Sequence, residues 1–284
     1  MPSDTKHRRL ISATLAPEVP FHSWFGLARH IMVAGIAAGI TGVLVGGIGG
    51  RVFMRIAGAI SGSQGAGRTT EAGFTVGEIT VFGTVFLVIF LSITTAVFGA
   101  TIYVLLRPWL SWASKYRGLA FGVGLFALAS ATSDMMNPDN PDFTILGQEP
   151  ALVGLIAILF ILFGITLDYL FPRADGWFDP EEAITKTTGI AFTTVAALGV
   201  ALGVPLLVAA MGGGESVCGC ESPVWAYRSL LVVVASTIVV WVAAIVRLPS
   251  WSLKLATMTG YVGTAGVFVF GLMRAISDAV TIIT

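Results

Sequence analysis

The sequence predicts an all-α, polytopic transmembrane helix bundle, and three observations carry that prediction. Hydrophobic side chains make up 55% of the 284 residues and charged ones only 11%, with a mean hydropathy of +0.87. A chain this apolar cannot hide its nonpolar surface in a water-soluble fold. Second, charge-free apolar runs long enough to cross a bilayer recur along the whole chain. Third, the alternation of a β-barrel strand is absent, and helices satisfy every backbone amide inside hydrocarbon.

Seven runs free of Asp, Glu, Lys and Arg stand out, at 31 to 50, 79 to 106, 118 to 133, 150 to 167, 187 to 211, 229 to 246 and 255 to 273. The first follows Lys6, Arg8 and Arg9 as a secretory signal would. It is too long and too deep in the chain for one and lacks a convincing small-x-small cleavage site, so it reads as a retained span. Thr75 and Glu78 form a capping box that starts the second helix near Val76. The third run is the shortest: 16 residues lie between Arg117 and Asp134, about 24 Å at 1.5 Å per residue, so its flanks must help it cross. Residues 1 to 30 are then a cytoplasmic N-terminal segment and 31 to 284 a single transmembrane domain.

Counting basic residues fixes the expected orientation, because Lys and Arg near spans stay in the cytoplasm. With the N-terminus inside, eleven fall on the cytoplasmic side: Lys6, Arg8, Arg9, Arg29, Arg107, Lys115, Arg117, Arg173, Lys186, Arg247 and Lys254. Arg51, Arg55, Arg68, Arg228 and Arg274 fall on the other, and seven spans leave the C-terminus outside. Trp24, Trp109, Trp112, Trp177 and Trp251 sit at the same cytoplasmic boundary, where an indole can bury its ring and keep its N–H wet. Arg107-Pro-Trp and Arg247-Leu-Pro-Ser-Trp form a faint internal echo before the third and seventh spans.

Gly35, Gly39, Gly42, Gly46 and Gly50 recur at steps of three or four and line one helical face with bare backbone. A helix of this chain, of a second copy or of a different membrane protein can approach there, and the lipid bilayer surrounds the rest. The densest polar group is expected on the outer face. It comprises Arg51 and Arg55, which share a helix face, with Glu71 and Glu78, and the loop residues Asp134, Asn137, Asp139, Asn140 and Asp142. These charges can pair with one another or grip a solute. Cys218 and Cys220 fall in another outer loop, where two thiols can oxidise to a disulfide.

Absences narrow the chemistry. Sixteen basic residues balance sixteen acidic ones, which argues against a nucleic-acid partner. His7, His22 and His30 all lie outside the charge-free runs, so no haem, metal or other cofactor is expected. No ionisable group sits at mid-span, as a retinal protein or proton pump requires. No Walker A loop or nucleophile elbow is present, and no catalytic residue is singled out.

Gly-Gly-Arg-Val-Phe-Met-Arg at 49 to 55, Thr-Glu-Ala-Gly-Phe-Thr-Val-Gly-Glu-Ile-Thr at 70 to 80, Gly83-Thr84 and Asn-Pro-Asp-Phe-Thr-Ile-Leu-Gly at 140 to 147 resemble an uncharacterised family of bacterial multi-pass integral membrane proteins. The resemblance implies a bacterial inner membrane and a shared outer-face cluster, and it implies no activity. Two functional expectations follow: a small-solute or ion transporter or channel with an outer polar vestibule, or a non-catalytic membrane subunit or scaffold of a larger complex.

Overall fold

The computed structural model describes residues 17, 19–65, 67–68, 81–132, 150–212, 224–246 and 248–283, and among these no strand occurs. The first helix, α1 (Trp24–Thr41), is capped by Ser23, whose Oγ accepts from the Gly26 amide at 3.0 Å. It continues through a π-helical stretch, Gly42–Gly49, into α2 (Gly50–Gly65). Gly62 leaves helical geometry there at φ +53°, a conformation open to glycine at no steric cost.

The next unit begins with α3 (Val81–Thr94), passes through a second π-helical stretch, Thr95–Gly99, and ends in α4 (Ala100–Leu106). A 3₁₀ segment, Arg107–Tyr116, leads to α5 (Arg117–Thr132). Ser114 breaks that segment at φ 47°, ψ −117°. The break reverses the chain: the Tyr103 and Phe121 rings meet edge to face at 5.0 Å, whereas a straight helix would hold residues eighteen apart at about 27 Å. The remaining elements are α6 (Pro150–Asp175), a 3₁₀ turn at Glu181–Ala183, α7 (Lys186–Gly212), α8 (Val224–Val246) and α9 (Ser250–Ile283).

Five helical stretches among the described residues are long and apolar enough to cross a membrane. Their outward faces carry bare large apolar side chains, Phe82 at 81% exposure and Val262 at 71% among them, which only lipid accommodates over so wide an area. The chain is therefore a helical membrane protein.

Small residues set the inter-helix distances. Where α5 crosses α6, a methyl group added to Gly122 would lie 2.7 Å from the Ile161 Cα, and one on Gly164 would lie 2.6 Å from the Gly122 Cα. Gly35 and Gly39 lie against Ala96 and Ser92 of the α3–α4 leg, and Ser92 Oγ donates to the Gly39 carbonyl at 3.2 Å. Gly47 approaches Val88 more closely than Gly35 or Gly39 approach their neighbours, outside the three-and-four series because the π-helical turns shift the register. Gly42 and Gly50 are buried and Gly46 is half-buried. The core consists of Val33, Tyr103, Leu106, Trp109, Phe121, Leu167 and Phe171.

Two sequence expectations change here. The helices overrun the charge-free runs: α1 starts at Trp24 rather than 31, α6 ends at Asp175 rather than 167, and α9 spans Ser250–Ile283. Charges terminate an apolar run only when they are unpaired, and Arg29 pairs with Asp175, Arg117 with Asp168 and Arg274 with Asp278. Among the tryptophans, Trp24, Trp112, Trp177 and Trp251 are exposed, but Trp109 is fully buried. Its Nε1 donates to Thr237 Oγ1 at 2.8 Å, so its N–H is satisfied by protein and not by interfacial water. Trp109 and Trp251 therefore play unlike parts, and the echo between their segments does not extend to packing.

Candidate functional site

A group of described polar side chains gathers at one end of the bundle, where α1 begins, α4 ends, α5 begins and α6 ends. Three links tie these elements. Arg29 of α1 pairs with Asp175 at the last turn of α6, Nη1 donating to Oδ1 at 2.5 Å. Its Nη2 donates to the Asp175 carbonyl at 2.8 Å and to that of Phe178 at 3.4 Å. Tyr103 of α4 and Arg117 of α5 both donate to Oδ1 of Asp168, each at 2.7 Å. Finally, Glu181 reaches back over the start of α1, its Oε1 and Oε2 accepting from the His22 amide at 3.0 and 3.1 Å. A carboxylate is favoured there because the first helical turn presents unpaired amides and the positive end of the helix dipole. Gly26 is what lets it settle, since a methyl group at that position would lie 2.6 Å from both carboxylate oxygens.

The Arg29–Asp175 and Glu181–His22 links border a half-open cavity of about 490 Å³, a size common for small-molecule sites. Arg29, His30, Arg107 and Phe171 line it together with His22, Asp175 and Glu181 and with Pro20, Pro172 and Pro180. His30 is 7% exposed and packed between the rings of Phe21 and Phe171, at centroid distances of 5.6 and 5.0 Å. The Arg107 guanidinium lies 4.8 Å from the Phe171 ring centre, a cation–π contact that holds the charge against an aromatic floor. Arg29 and Arg107 both act electrostatically on the imidazole. The arrangement can orient a small polar molecule against aromatic surface in partial seclusion from water.

Of the residues singled out in the sequence, Arg51 and Arg55 lie on α2, half-buried and exposed respectively. Arg51 is 22 residues along the same continuous helix from Arg29, about 33 Å away, so it does not share the cavity. Glu71, Glu78, Asp134, Asn137, Asp139, Asn140, Asp142, Cys218 and Cys220, together with the Thr75 cap, lie outside the described residues. Among the described residues, no group of three or more His, Cys, Asp or Glu side chains is placed to hold a metal ion.

Sequence reasoning missed the cavity. Arg29, His30 and Arg107 sit directly beside charge-free runs, and Asp175 and Glu181 lie in the stretch between two of them, where single charges read as ordinary flanks. The available signal was their sign: basic residues end α4 and begin α1 and α5, whereas acidic ones end α6 and follow it. No protein-family model, curated protein or solved structure matches this chain.

Proposed function

We propose that this chain is a bacterial inner-membrane protein of about seven spans that carries a small polar solute, with the cavity between α1, α6 and the Arg107–Tyr116 segment as its entrance. The observation that carries the reading is the half-open cavity of about 490 Å³ lined by Arg29, His30 and Arg107. A bundle built only to hold its helices together gains nothing from keeping charged groups around open space, because such groups cost free energy to bury. The small-residue faces favour the same reading over a scaffold. Gly35, Gly39, Gly118, Gly122, Gly164 and Gly271 all meet helices of this same chain, which leaves those faces engaged and not offered to a partner.

In this reading the cavity opens to the cytoplasm, since Arg29 and Arg107 of the positive-inside count line it, and the second and third spans are the two legs of the hairpin that turns at Ser114. Seven crossings would then run from a cytoplasmic N-terminus to an external C-terminus. The family resemblance around 49 to 55 and 70 to 80 supports the bacterial setting.

The test is flux. Proteoliposomes containing the full chain are loaded with radiolabelled small carboxylates, amino acids and inorganic ions in turn. At least one solute should equilibrate faster than in protein-free vesicles, and Arg107→Gln should slow it. A panel that moves no solute, or a flux indifferent to Arg107→Gln, overturns the reading. Single-cysteine labelling at Asp179 should require permeabilised cells, and labelling of intact cells would overturn the orientation.

A further inference from the structure

We propose that the cavity between α1 and α6 is a binding site for a small organic carboxylate, held by hydrogen bonds from Arg29 and His30. The proposal deepens the functional reading of the same cavity by naming its ligand class. Arg29 spends both Nη atoms on Asp175 and Phe178, but its Nε is buried with no hydrogen-bond partner. His30, more than nine-tenths buried and lining the cavity, packs in tilted and edge-on contacts against the rings of Phe21 and Phe171. Leaving buried polar groups unsatisfied is costly, and native structures fill such places.

The chemistry of the two groups selects the ligand. A guanidinium is a donor only, and a neutral imidazole offers one N–H. Two donors on adjacent residues suit the two oxygens of one carboxylate. The remaining lining selects a monoanion with a carbon body. Asp175 and Glu181 stand at the cavity and would repel a dianion such as phosphate more strongly than a single charge. Phe171 and the three prolines offer apolar surface that an inorganic ion cannot use.

Binding is measured without flux, on the full chain purified in detergent. Thermal unfolding is followed against rising acetate, propionate and benzoate, with inorganic phosphate and chloride at matched ionic strength. At least one carboxylate should raise Tm saturably, and phosphate and chloride should not. Calorimetric titration of that carboxylate should show affinity weakened about tenfold by His30→Ala and partly restored by His30→Gln, whose amide supplies an N–H. Should His30→Ala fail to fold, Arg29→Lys serves. It keeps the charge beside Asp175 but lacks the Nε–H, and it should weaken binding about fivefold. No saturable shift with any carboxylate, an equal shift with phosphate, or unchanged affinity in the variants each overturns the proposal. Saturable binding without transport in proteoliposomes would leave this site standing while removing the carrier reading.

Discussion

Tyr103 donates its phenolic O–H to Asp168 at 2.7 Å, and that same carboxylate oxygen accepts from Arg117 Nε. The three side chains come from α4, α6 and α5, so one oxygen pins three helices at the point where the chain turns back on itself. Arg117 and Asp168 are 19% and 17% exposed at the side chain, which puts the pair among mostly buried ones. Asp168→Ala is expected to cost about 3 kcal/mol because it strands a guanidinium. Tyr103→Phe should cost about 1 kcal/mol, since it removes one hydrogen bond and keeps the ring on Phe121. Denaturant unfolding of both variants in detergent checks the order, and equal losses would show that the carboxylate does not organise the junction.

Helix spacing gives a second prediction. At the α5–α6 crossing the backbones are close enough that Gly122 and Gly164 admit no side chain. Gly164→Leu should separate the helices and cost at least about 3 kcal/mol, more than ordinary overpacking, because backbone and not a flexible side chain blocks the space. Gly154, with open space around its Cα, is the matched control. Its replacement by Leu should leave unfolding within about 0.5 kcal/mol of the native chain.

Glu181 supplies a third. Its carboxylate holds the segment between α6 and α7 over the start of α1. Glu181→Gln removes the charge that favours this end of the helix, worth about 0.5–1 kcal/mol. The segment around Trp177–Thr185 should then be cut faster by limited proteolysis, with little change in global unfolding. A cleavage rate unchanged by the substitution would show that Arg29–Asp175 alone keeps the segment closed.

A fourth concerns Trp109, whose ring covers Gly260 and Tyr261 of α9 and whose N–H reaches Thr237 of α8. Trp109→Phe should cost about 2 kcal/mol through the lost hydrogen bond and the smaller ring. Thr237→Val should cost less, because Trp109 then loses its acceptor without opening a cavity. A larger loss for Thr237→Val would locate the energy in the Thr237 hydroxyl, which also donates to Leu105 or Val233.

The helical class was legible because apolar runs and the absence of mid-span charge are properties of composition along the chain. Helix ends were not, because a charged residue looks like a boundary until its partner is known. Arg29 and Asp175, 146 positions apart, extend two helices by neutralising one another. The reversal at Ser114 was legible only as a break between Leu106 and Gly118, since Lys115, Arg117 and a proline mark a turn without giving its geometry. The cavity escaped altogether because it is made by packing: His30 gains its meaning from Phe21 and Phe171, and neither ring is near it in a way that sequence spacing reveals. Most of the polar cluster expected around Arg51 and Arg55 falls outside the described residues.

The anchoring of Trp109 bears on how the protein is made. A ribosome that has finished the helical hairpin has yet to synthesise Thr237, Gly260 and Tyr261, the residues that close over that indole. The early half of the chain must therefore wait in the translocation machinery or the lipid with its largest core side chain uncovered. A chain halted before α8 lacks both helices that close that junction.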